Sequence, residues 1–194
     1  DSGSIVMSTG DANNADSGGI FIGTGDSDRT AGTITVTVGA TDTGIGGSLK
    51  LEAGDTSSGT GTTGGHVRIA SGRSDGTSSG SMAIITPDAP GSGLILLSTG
   101  VATGGDSGDI SIGTGTASST GGDIGLKVGS SVSMGGSITI YAGNGTTNNF
   151  ETGGKIRLDS GFSSTSHSGK LEIMSQNSPG HSGSLVLSTG NTPG

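Results

Sequence analysis

The stretch Gly46–Asp55, "GGSLKLEAGD", recurs with small changes as "GGHVRIASGR" at 64–73, "SGDISIGTGT" at 107–116, "GGSITIYAGN" at 135–144, "GGKIRLDSGF" at 153–162 and "SGSLVLSTGN" at 182–191. Each copy opens on Gly-Gly or Ser-Gly, runs through an aliphatic–x–aliphatic triplet and closes on another glycine. Apolar residues at i and i+2 mark an extended segment with one apolar face. In the quoted copy Leu49 and Leu51 share that face and Lys50 and Glu52 take the other. Glycine suits the bounds of such a segment because it adopts φ > 0 without steric cost.

Aligned on the first aliphatic, the pairs are Ile5/Met7, Ile20/Ile22, Ile34/Val36, Leu49/Leu51, Val67/Ile69, Met82/Ile84, Ile95/Leu97, Ile110/Ile112, Ile124/Leu126, Ile138/Ile140, Ile156/Leu158, Leu171/Ile173 and Leu185/Leu187. These thirteen repeats are spaced 15, 14, 15, 18, 15, 13 and then 15, 14, 14, 18, 15, 14 residues apart, so the second series reproduces the first within one residue. A six-repeat block has therefore been duplicated: residues 1–90 and 91–180 are the two blocks, and 181–194 begin a third. The third place on the apolar face holds Thr9, Thr24, Val38, Ala53, Ser71 and Thr86 in one block and Thr99, Thr114, Val128, Ala142, Ser160 and Ser175 in the other.

Composition limits what this pattern can build. Of 194 residues, 27% are hydrophobic, 2% are aromatic and 43 residues are glycine. A typical globular domain is about 45–50% apolar, so a thick round core is excluded. Phased aliphatic pairs also argue against a disordered Gly/Ser chain, which needs none. One strand per repeat at a fixed period is the pattern of a solenoid. The sequence thus predicts an all-β fold, a parallel β-solenoid of thirteen one-strand repeats. Two repeats per coil, about 30 residues, let aliphatic walls face each other, and three per coil is the alternative. The chain opens inside a repeat and carries no capping sequence, which reads as a slice of a longer array.

The texture of "SGDISIGTGTASSTGGDIGLKVGSS", residues 107–131, resembles the long Gly/Ser/Thr-rich repeat proteins of diatoms and related algae. Glycine-rich solenoids of bacterial adhesins and phage fibres share this texture. The resemblance covers the whole chain, implies an extracellular or cell-surface structural role, and carries over no functional residue.

Net charge is −8 and the isoelectric point about 4.5. The eight Lys and Arg do not gather, so nucleic acid is not an expected partner. Without cysteine there is neither a disulfide framework nor a thiolate metal site. No apolar run approaches the roughly 20 residues that span a bilayer. His66, His167 and His181 stand apart from any partner at a diagnostic spacing. Glycine-rich strings such as "GTG" lack the strand–loop–helix setting of a phosphate loop. With one Tyr, three Phe and no Trp, the chain lacks the aromatic lining of a carbohydrate-cleaving groove, and no enzyme activity is expected.

Asp11, Asp26 and Asp55 follow the glycine that closes a triplet, while Asp16 and Asp106 precede an entry glycine in "DSG". Stacked turns could bring such carboxylates and carbonyls around calcium, but Thr116 and Asn144 stand where the block has Asp26 and Asp55. No other cofactor is expected. Thr35 and Thr37 have the spacing of an ice-binding face, and Gly125 and Lys127 interrupt any such ladder. Asn144, in "NGT", is the candidate N-glycosylation site. Between the aliphatic pairs, Val6, Leu96 and Val186 recur with the block, and Ile85 and Met174 stand beside them, a candidate self-association stripe. The sequence therefore predicts a non-catalytic structural segment of an extracellular fibre, adhesin stalk or surface coat. It would pair with itself or with other fibre subunits. The rival class is a ligand-binding module for calcium, ice or glycan.

Overall fold

The computed structural model describes residues 2–57, 63–145 and 152–190. Among them there is no helix and no strand, and no hydrophobic side chain is buried. The expected all-β parallel β-solenoid is therefore overturned, and with it the two-repeat coil and the facing aliphatic walls. The reason lies in the linkers. A solenoid requires each linker to carry the chain across to another wall of the coil. Here each linker brings the chain back to where it left.

The closure is the same at every linker. The third-place residue of one repeat lies against the entry glycine of the next, two positions before that repeat's first aliphatic. A Cβ on these twelve entry glycines would come within 2.6 to 3.9 Å of the third-place side chain, as at Gly18 with Thr9, Gly47 with Val38, Gly136 with Val128 and Gly183 with Ser175. Gly3, the entry glycine with no linker before it, has nothing within 4 Å of that position. In four linkers the backbone adds a hydrogen bond between the feet. Gly65, Gly80, Gly154 and Gly169 donate N–H to the carbonyls of Gly54, Gly72, Gly143 and Gly161 at 2.8–2.9 Å. In another, Thr24 Oγ1 donates to the Gly32 carbonyl at 3.3 Å.

The bounding glycines therefore serve a different purpose from the one the sequence suggested. Among the described residues only Gly44 (φ 112°) and Asn14 (φ 62°) have positive φ. At Gly47 and Gly136 a Cβ would collide with a valine at the foot of the preceding loop, and at Gly32, Gly65, Gly93, Gly154 and Gly169 it would be tight, whereas at the other entry glycines it would make an ordinary contact. Among the described residues the half-buried ones are Ala53, Thr86 and Ala142, all third-place residues, and Ser163, which lies within a loop.

The segments between loops are extended with alternating faces. Lys50 pairs with Glu52 at 2.7 Å, Arg157 with Asp159 at 2.5 Å, and Lys170 with Glu172. Residues two apart meet only when they share a face, so the aliphatics between them point the other way. These ion pairs are solvent-exposed and contribute little to stability. No backbone ladder runs along these segments among the described residues, which is why they are not strands.

Contacts divide the chain into Asp1–Leu96 and Leu97–Gly194. Each half carries six closed loops. The halves agree in detail, since the four foot hydrogen bonds fall after corresponding repeats. In the loop after Arg73, Ser74 Oγ accepts from the Thr77 amide at 3.1 Å, and in the matching loop Ser163 Oγ accepts from the Ser166 amide at 3.0 Å.

One hydrogen bond of this kind contributes about 0.5–1.5 kcal/mol net. The amides of Gly65, Gly80, Gly154 and Gly169 should therefore exchange with solvent about 2- to 10-fold more slowly than those of Gly64 and Gly153. Amide exchange followed by NMR checks this, and equal rates would mean that the loops are open in solution.

Candidate functional site

The residues singled out for chemistry lie apart. Asp11 and Asp16 share the first loop, Asp26, Asp55 and Asp106 stand on three others, and all five are exposed. Among the described residues no group of three or more His, Cys, Asp or Glu side chains could hold a metal ion. His66 and His181 are likewise exposed, and His167 Nδ1 lies 3.4 Å from Ser166 Oγ. Asn144 is exposed at the foot of its loop, while Thr146 of its sequon lies outside the described residues. Among the described residues no pocket opens.

What the structure does bring together is the aliphatic row. The first aliphatic of each repeat after Ile5 is 44–66% exposed, whereas Ile5, with no repeat before it in this chain, is 93% exposed. The second aliphatics before Leu187 are 59–74% exposed, whereas Leu187, in the last repeat of this sequence, is 97% exposed. Cover on the first aliphatic thus comes from the preceding repeat and cover on the second from the following one. Loop closure causes this, because it seats the end of one triplet beside the start of the next. The result is a single apolar layer within each half, covered along its edges and open on its face.

Its size can be bounded. A fully buried aliphatic side chain gains about 1.5–3 kcal/mol at about 25 cal/mol per Å², which corresponds to about 60–120 Å². Thirteen such side chains in each half, a little over half exposed, leave on the order of 500–900 Å² of open apolar surface per half. The largest apolar patch on an ordinary monomer is about 300–600 Å² and is often functional.

Val6, Leu96, Val186, Ile85 and Met174 are exposed too, but the residues expected in the core are nearly as open. By exposure alone the recurring stripe does not stand out from the aliphatic row. Changing Val6, Leu96 and Val186 together to Ser should weaken self-association less than tenfold, as expected for scattered surface apolars. A larger loss in analytical ultracentrifugation would restore the stripe as a contact.

The signal that sequence reasoning passed over is the entry glycine. It stands two residues before the first aliphatic in all thirteen repeats, whereas the closing glycine is replaced by Pro87 and Gln176. A glycine kept more strictly than its counterpart points to close approach.

No family model matches the chain, and no similar curated protein or solved structure was found. Among the described residues no helix is long and apolar enough to cross a membrane.

Proposed function

We propose that this chain is a structural repeat segment of an extracellular fibre, adhesin stalk or surface coat, without catalysis of its own. The observation that supports the reading is the open aliphatic row: a strictly repeated apolar pair that one chain leaves more than half exposed at nearly every repeat. Exposed apolar surface of this extent is unfavourable in water and is relieved by association. A row of equal small contacts suits a fibre or coat, where strength accumulates over many copies in series. The Gly/Ser/Thr-rich composition and the resemblance to algal surface repeat proteins support the extracellular setting.

Sedimentation equilibrium with negative-stain electron microscopy tests the assembly. Concentration-dependent association into elongated or sheet-like particles is expected, and a monomer at all concentrations would contradict the reading. Immunolabelling of intact source cells tests the location. Labelling without permeabilisation is expected, and labelling only after permeabilisation would contradict it.

A further inference from the structure

The geometry points to the aliphatic row as the assembly face, and to a second copy of this chain, laid row to row, as its occupant. This rests on the structural-assembly reading above and names the surface and the partner. Area is the first argument. Each half leaves open about as much apolar surface as the roughly 800 Å² per partner of a standard stable interface, and the whole chain leaves more.

Charge is the second. The 24 ionisable Asp, Glu, Lys and Arg residues are absent from the entry-glycine, first, second and third places of all thirteen repeats. Row-to-row contact therefore buries no charge, although the chain as a whole carries −8. A partner recognised through complementary charge would find nothing on this face to pair with. A partner with the same uncharged face meets it without cost.

Pattern is the third. The row is bordered by glycine at the entry place and by Thr, Val, Ala or Ser at the third place, so nothing at its borders is bulkier than valine. A copy of the same chain presents its own aliphatic pairs at the same intervals, including the 18-residue step once per block. Two rows in register can match along their length, which a surface of any other period cannot do.

The chain contains no cysteine, so a single introduced thiol reports on one face. Ile112→Cys places it in the row and Ser111→Cys on the opposite face, with Leu158→Cys as a second row position. In the purified chain the only available partner is another copy. At associating concentration the row thiols should react with a soluble thiol reagent at least about tenfold more slowly than the Ser111→Cys thiol, and this difference should vanish on dilution to monomer. Assembled particles in which row and opposite-face thiols react equally fast would overturn the row as the contact and leave the assembly reading standing. A wild-type chain that never associates would overturn both.

Discussion

Replacing Ile110, Ile124 and Ile138 together by Asp is expected to weaken self-association by at least about a thousandfold while leaving the closed loops intact. The three are first aliphatics of successive repeats and are about half exposed in the single chain. As core residues of a solenoid they would unfold their surroundings when charged. In the row they do not, because in the isolated chain each carboxylate reaches water through the open face. The cost appears on assembly. Burying an unpaired carboxylate against a second apolar row costs several kcal/mol, and a loss of about 1.4 kcal/mol is already tenfold in affinity. Such separated sites add roughly independently. Ser111→Asp, on the opposite face, is the control and should change association little. Sedimentation equilibrium reads the association, and the slow exchange of the Gly154 and Gly169 amides reads the loops. If the triple variant associates like the wild type, the row is not the contact. If it loses its loops, the row supports the fold of the single chain.

Gly47→Val should open the loop between Val38 and Gly47, whereas Gly46→Val should not. A Cβ at Gly47 would lie 2.6 Å from Val38 Cγ1, while at Gly46 it meets nothing within 4 Å. The obstructing atom cannot swing aside easily, because a β-branched side chain is stiff at χ1. Forcing extra atoms into such a contact costs about 1–3 kcal/mol, comparable with all that one foot contact and its neighbours supply. Gly136, facing Val128 at 2.8 Å, and Gly135, facing nothing, repeat the comparison in the second half. Val38→Ala should partly rescue Gly47→Val, since Gly65 already faces Ala53 at 3.1 Å. The readout is the NMR cross-peak between the methyl protons of residue 38 and the α-proton or α-protons of residue 47, protons that every variant retains. Gly46→Ala keeps it, and Gly47→Ala, a milder form of the same clash, should weaken it. Persistence of the cross-peak in Gly47→Val would show that the entry glycines are dispensable.

The two predictions separate what the sequence could convey from what it could not. Alternation of faces was readable at single residues: Leu49 and Leu51 against Lys50 and Glu52, with the ion pair at 2.7 Å as its structural trace. The period was readable as well, and equivalent loops repeat the same hydrogen bonds at Ser74 and Ser163. The fold those features suggested was not the one formed. A period-2 pattern states that one face is apolar but is silent on what covers it. Facing walls within one chain were the economical answer for a repeat array. The deciding contacts join a third-place residue to a glycine seven to twelve positions later, as between Thr86 and Gly93 or Ala53 and Gly65. The trace these pairs leave in the sequence is the glycine at the entry place of all thirteen repeats, which marks a close approach without naming its partner. The candidate site suffered in the same way. Val6, Leu96 and Val186 drew notice because they broke the pattern, while the pattern itself turned out to be the exposed surface.

The central claim is that the aliphatic row stays open within one chain and is covered only by another. It is tested most directly by the thermal midpoint of the purified 194-residue chain, followed by far-ultraviolet circular dichroism over a concentration series of about a hundredfold. Stability supplied by a second copy obeys mass action, so the midpoint should rise steadily with concentration and any cooperative transition should fade at the dilute end. A cooperative transition with the same midpoint at every concentration would mean that a single chain buries its own apolar row, and the account would be wrong.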